Sequence, residues 1–171
     1  MEAIGRANGA PADVVAGVVR KHRLVFDLLR AEPDTNAARI TLMRLFQELE
    51  PGKSEQEIAR EWSGFQTPFF HFGLTYDARA TLEQRHCPVL VLHGEKDLLV
   101  LSSINLPSIR EALATGSNQD VTIIVLPDLN HMFQTCETGA PEEYGRIEET
   151  VSPKALHLMG DWILSRVAKP R

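Results

Sequence analysis

Two continuous apolar runs constrain this chain most: Val89-Leu90-Val91-Leu92 and Val121-Thr122-Ile123-Ile124-Val125-Leu126. A strand with one wet face alternates apolar and polar residues, whereas a strand covered on both faces of a parallel sheet does not. Between the runs, Ile104, Ile109, Ala112 and Leu113 recur at helical spacing over roughly 103–114. Strand, helix and strand make a βαβ unit, and with it a parallel pair in an α/β fold. Each run leads into a short polar segment. Leu92 is followed by His93-Gly94-Glu95-Lys96-Asp97, and Leu126 by Pro127-Asp128-Leu129-Asn130-His131. In open α/β sheets reactive groups gather beyond the carboxyl ends of the strands. Asp97 and His131 are therefore expected on one rim.

That pairing has a chemistry. A carboxylate that accepts a hydrogen bond from one imidazole nitrogen fixes the tautomer and stabilises the imidazolium, so the other nitrogen can take a proton from a hydroxyl. Taken singly, Asp97 reads as a turn or cap residue and His131 as a loop histidine. Taken together they are the candidate catalytic acid and base. The nucleophile of such a triad is not evident, because no Gly-x-Ser-x-Gly turn occurs in the 171 residues. Ser63 lacks a preceding glycine and strand, and Ser102 and Ser103 lack the elbow glycines. Cys136, five positions past His131, is a better thiol candidate than Cys87, yet a structural role is expected for both.

The first half reads as helices. Val14, Val15, Val18, Val19, His22, Val25, Phe26 and Leu29 form a stripe over roughly 12–30, ended at Glu32-Pro33-Asp34. A second helix over roughly 35–49 is expected to bury Ile40, Met43, Phe46 and Leu49 before Pro51-Gly52. Ser54-Glu55-Gln56-Glu57 has the form of a capping box, which starts a third helix burying Ile58 and Trp62. The aromatic stretch 65–76 either plugs these helices onto a core or lines a pocket, and plugging is the plainer account. After a long polar loop over 133–150, Ser152-Pro153 supplies an N-cap and a first-turn proline. Leu156, Met159, Ile163 and Val167 would line the inner face of that last helix.

Apolar residues at 43% and charged residues at 24% describe an ordinary globular chain. The net charge of −5 speaks against nucleic acid or an anionic membrane as partner. No run reaches the roughly 18 apolar residues of a membrane span. Two cysteines without a CxxC spacing, and no apolar leader before Ala12, give a cytoplasmic expectation. The six histidines show no ligand spacing, so no metal is expected, and no glycine-rich phosphate loop implies a cofactor.

The stretch from Leu74-Thr75-Tyr76-Asp77 through Cys87-Pro88 to Asp97 resembles the C-terminal part of α/β-hydrolases of the capped serine esterase and aminopeptidase-like type. So do Leu126-Pro127-Asp128-Leu129-Asn130-His131-Met132-Phe133-Gln134 and the tail from Tyr144 to Pro153. The preceding helices are similar to the cap such enzymes insert before their last strands. The resemblance implies a partial α/β-hydrolase fold, with a helical cap-like segment at 1–75 and the C-terminal part of the core at 76–171. It makes Asp97 the triad acid and His131 the general base. It also gives Phe69, Phe70, Phe72 and Met132 to the binding of a small ester or related acyl substrate. Two positions depart from the family pattern. Asp128 stands where glycine is usual and could compete for His131, and Val100-Leu101 lacks the proline often found after the acid. The chain then reads as an esterase fragment whose unpaired apolar strand favours a homo-oligomer. The alternative is a non-catalytic, self-associating or partner-binding module.

Overall fold

The computed structural model describes residues 1–32 and 35–167, with Thr35, Asn36, Trp62, Gln66 and His71 described by backbone alone. The expected break at Pro33-Asp34 and the burial of Trp62 thus lie outside what is described. Along the chain run α1 (Glu2–Ala7), α2 (Ala12–Ala31), α3 (Thr35–Leu49) and α4 (Glu55–Ser63). A 3-10 turn at Gly64–Gln66, α5 (Pro68–Thr75) and α6 (Ala78–Leu82) follow. Then come β1 (Val89–Gly94), α7 (Ser102–Thr115), β2 (Val121–Leu126), α8 (Pro141–Tyr144) and α9 (Pro153–Val167). The described residues divide into a helical unit of residues 11–77 and an α/β unit of residues 3–10 and 78–167. Residues 3–10 fall in the unit that holds the strands.

The helical unit is built on α2, α3 and α4 around Val25, Leu29, Ala38, Leu42, Phe46 and Ile58. Ser54 and Glu57 form the capping box reciprocally: the Ser54 amide donates to the Glu57 carboxylate at 2.8 Å and the Glu57 amide to Ser54 Oγ at 3.3 Å. Two stripes sit elsewhere than the periodicity suggested. On α2, Val14 and Val18 are exposed while Val15, Val25 and Leu29 are buried. On α3, Ile40 and Leu49 are exposed, and the buried row is Ala38, Leu42 and Phe46. A step of three residues falls about 60° short of a helical turn and a step of four overshoots by about 40°. The 40-43-46-49 row therefore winds off the contact face, and Ala38 lets a neighbouring helix approach. The aromatic stretch plugs this core through Phe65 and Phe70, whose rings meet edge to face at 5.0 Å, with Phe26 beside both.

Four charges brace the same unit. Lys21 Nζ reaches Glu50 at 2.7 Å and Glu61 at 2.9 Å, and Lys53 bonds both carboxylates as well. The hydrogen bond from Lys21 holds Glu50 below its ordinary 4.5, and Lys53, then Lys21, do the same for Glu61. A depressed carboxyl stabilises the fold above the unfolded value and loses that contribution as pH falls through the folded one. Unfolding midpoints should therefore hold steady down to about pH 5 and fall below about pH 4.5. Denaturant titrations of the wild type and of Glu61→Gln check this, the variant showing the shallower acid limb.

In the α/β unit β1 and β2 pair in parallel with Val89 opposite Val121 and Gly94 opposite Leu126, as the βαβ pattern requires. Among the described residues the sheet has only these two strands. Full cover on both faces is not reached: most strand residues are half-buried and Val125 is exposed. The core lies where Leu126, Leu129 and Ala155 close against Leu92, Ile124 and Leu158. Trp162 of α9 donates to Thr122 of β2 at 3.0 Å. The inner face of α9 is thus Ala155, Leu158 and Trp162, while Leu156, Ile163 and Val167, expected inside, are exposed. Lys154, His157, Asp161 and Ser165 share one side of that helix and apolar residues cover about two-thirds of its circumference, so periodicity alone does not choose which part of the broad apolar face is covered. The segment 133–150, read as loop, contains α8, ahead of which Glu143 accepts from the amides of Glu137, Thr138 and Gly139. No helix of the described residues is long and apolar enough to cross a membrane.

Candidate active site

β1 and β2 end side by side, and the loops that follow them are bonded to each other. The Glu95 amide donates to the Leu126 carbonyl at 2.9 Å and the Lys96 amide to the Leu129 carbonyl at 2.9 Å. Gly94 makes this approach possible, because a Cβ there would lie 2.5 Å from the Asn130 carbonyl oxygen and still closer to that of Leu129. Both obstacles are backbone, so neither can swing aside. Gly94→Ala should cost about 2–4 kcal/mol, the upper part of the overpacking range or slightly beyond. It should also part the acid loop from the histidine loop. Urea unfolding reads the first effect and the His131 ring resonances the second.

Asp97 is buried, with 6% of its side chain exposed. Its Oδ1 accepts from the amides of Leu99 at 3.0 Å and Val100 at 2.8 Å, and its Oδ2 accepts from His131 Nδ1 at 2.9 Å. An aspartate bonding amides two and three residues ahead is a turn-forming aspartate. One oxygen builds the turn and the other accepts from the imidazole. His131 is 39% exposed along its side chain. With Nδ1–H spent on Asp97, its Nε2 carries the lone pair of the neutral ring.

The histidine loop is shaped by a residue to which the sequence reading gave no role. Asn130 is fully buried, and its Oδ1 accepts from the amides of Met132 at 2.9 Å and Gln134 at 3.0 Å. Its Nδ2 donates to Gln134 Oε1 at 3.0 Å, and Gln134 Nε2 donates onward to the Glu149 carbonyl at 2.9 Å. This clamp bends the chain so that His131 projects from the tip, with Phe133 in the left-handed region at φ 57°. A bulky residue rarely sits there without support. The Ser152 amide holds the Phe133 carbonyl at 2.7 Å. Asn130 could have been singled out as a loop asparagine beside the histidine, since asparagine bonds its own backbone two residues on.

Asp128 does not compete for His131. It is exposed, pairs with Lys96 at 2.9 Å, and the Lys96 hydrogen bond holds its carboxyl below the usual range. Its φ of 62° explains why glycine would be at home at this position. Lys96 also donates to the Cys136 carbonyl at 3.1 Å. Cys136 is buried with its Sγ against the Asp128 carbonyl, and burial pushes its thiol up, the wrong direction for a nucleophile. Cys87 is exposed. Ser63 donates to the Arg60 carbonyl within α4, and Ser102 opens α7. None of these stands at a strand-to-helix elbow.

His93 bonds the Gly94 carbonyl through Nδ1 at 2.9 Å, and its buried Nε2 lies 3.8 Å from Asp97 Oδ2. Tyr144 has a buried hydroxyl, and burial, with the Asp97 charge adding to it, raises the phenol above its ordinary value. The proposed binding residues divide between the units. Met132 is exposed next to His131 in the α/β unit, while Phe69, Phe70 and Phe72 belong to the helical unit. There Phe70 is committed to the core, Phe69 is 85% exposed and Phe72 is 58% exposed and stacked on Tyr76. Among the described residues no group of three His, Cys, Asp or Glu is placed to hold a metal ion. Compared with family models, curated proteins and solved structures, the chain matches none of them.

Proposed function

We propose that this chain carries the acid and general base of a serine-esterase-type α/β-hydrolase, acting on a small ester or related acyl substrate. The observation that carries the reading is the 2.9 Å bond from His131 Nδ1 to Asp97 Oδ2. The other oxygen of the same carboxylate is fixed by two backbone amides. In this arrangement His131 Nε2 removes the proton of an attacking hydroxyl as that oxygen bonds to the ester carbonyl carbon. Asp97 stabilises the imidazolium until its proton passes to the leaving alkoxide. No Gly-x-Ser-x-Gly turn occurs in the sequence, and in this reading water supplies the attacking hydroxyl. Hydrolysis of p-nitrophenyl acetate above the buffer rate is expected, and it should vanish in His131→Ala. A rate unchanged by that substitution contradicts the reading.

One feature favours the alternative, a non-catalytic self-associating module. Both outer edges of the two-stranded sheet are open among the described residues, and Leu156, Ile163, Leu164 and Val167 stand exposed on α9. Unpaired edges and contiguous apolar faces are association surfaces. That reading requires a dimer or larger species in light scattering at micromolar concentration, indifferent to His131→Ala.

A further inference from the structure

A hollow opens to solvent beside the packed core of the helical unit. A cavity of about 260 Å³ is bounded by Lys21, His22, Val25, Phe46, Glu61 and Phe65. Val25 and Phe46, each only 1% exposed, close its floor, and its accessible walls are Lys21, His22, Glu61 and Phe65. Its size is sufficient for a small ring, since an apolar cavity of roughly 150 Å³ already takes up benzene.

The polar groups of the wall limit what can enter. Lys21 directs its ammonium to Glu50, to Glu61 and to the face of Phe46, 4.3 Å from the ring centre. Glu61 in turn engages Lys21 through one oxygen and Lys53 through the other. The wall charges are thus balanced by one another and do not call for an ionic ligand. His22 differs. Its Nδ1 donates to the Val18 carbonyl at 2.8 Å, which leaves Nε2 as the acceptor of the neutral ring, with no partner among the described residues. We infer that this cavity is a binding site for a small neutral hydroxyl compound, a phenol or short alcohol, whose O–H donates to His22 Nε2. Its apolar part would lie against Phe65, over the floor formed by Val25 and Phe46. The site lies wholly within the helical unit and does not depend on the acid–histidine pair.

Phenol and toluene have nearly the same shape and separate this site from a merely apolar hollow. An apolar hollow prefers toluene, because a buried hydroxyl without a partner is costly. A site with a placed acceptor prefers phenol. Binding to the intact chain, followed by ligand-observed NMR at about pH 8, should favour phenol by at least about threefold, as one net hydrogen bond gives. His22→Leu should reverse the order, and His22→Gln, which keeps an acceptor, should largely retain it. Toluene bound as well as phenol, neither bound, or a phenol preference unaltered in His22→Leu would each overturn the assignment. Circular dichroism of both variants shows whether the helices remain folded.

Discussion

Asp97→Asn should abolish measurable ester hydrolysis while leaving the chain folded, and the reason lies in the two amides on Oδ1. An asparagine side chain has one oxygen and one NH2. The Leu99 and Val100 amides, at 3.0 and 2.8 Å from Oδ1, can be satisfied only by the oxygen. The NH2 then replaces Oδ2 and faces His131 Nδ1. Two donors cannot share a hydrogen bond, so Nδ1 must become the acceptor and the ring proton moves to Nε2. The imidazole keeps its place but loses the lone pair that would accept the proton. In a complete Ser-His-Asp triad the same exchange lowers kcat by about 10⁴ through the same wrong tautomer. Asp97→Asn should match His131→Ala in p-nitrophenyl acetate assays and unfold at a similar urea concentration to the wild type.

Gly139→Ala is expected to be the most damaging single methyl in the α/β unit. Gly139 has a φ of 77°, which an L side chain rarely adopts. A Cβ there would also lie 2.9 Å from the Lys96 carbonyl carbon and closer still to its oxygen. Lys96 belongs to the acid loop, one residue before Asp97, so relief of the clash displaces the loop that carries the acid. Left-handed strain and overpacking together give about 3–5 kcal/mol. Urea unfolding measures the loss, which should exceed that of an alanine at Gly145, where a Cβ meets nothing within 4 Å.

The two strands and the acid–histidine contact were legible because each rests on a local signal. Val121–Leu126 occupies the expected limits, and β1 continues only to Gly94, which the loop bond to Leu126 holds in register. Asp97 and His131 follow strand ends that the βαβ rule makes neighbours, so their meeting needed no further information. The capping box at Ser54 was equally local. Helix faces were less legible. Leu156 and Ala155 are adjacent on an apolar helix, and only the position of Leu92, Ile124 and Thr122 decides which one is covered. The aromatic stretch divided for the same reason, Phe70 going to the core and Phe69 to the surface. Asn130, Gly139 and the Lys96–Asp128 pair act through contacts between two loops, which no periodicity reveals. The left-handed φ of Asp128 leaves no mark on periodicity either.

The central claim is that Asp97 holds His131 as the Nδ1–H tautomer with Nε2 open. Long-range proton–nitrogen NMR on the imidazole of the purified wild-type chain, at a pH where the ring is neutral, tests it directly. The account predicts a protonated Nδ1 and an unprotonated Nε2 for His131, exchanged in Asp97→Asn. A His131 ring protonated mainly at Nε2 in the wild type, or indifferent to the substitution, would contradict it.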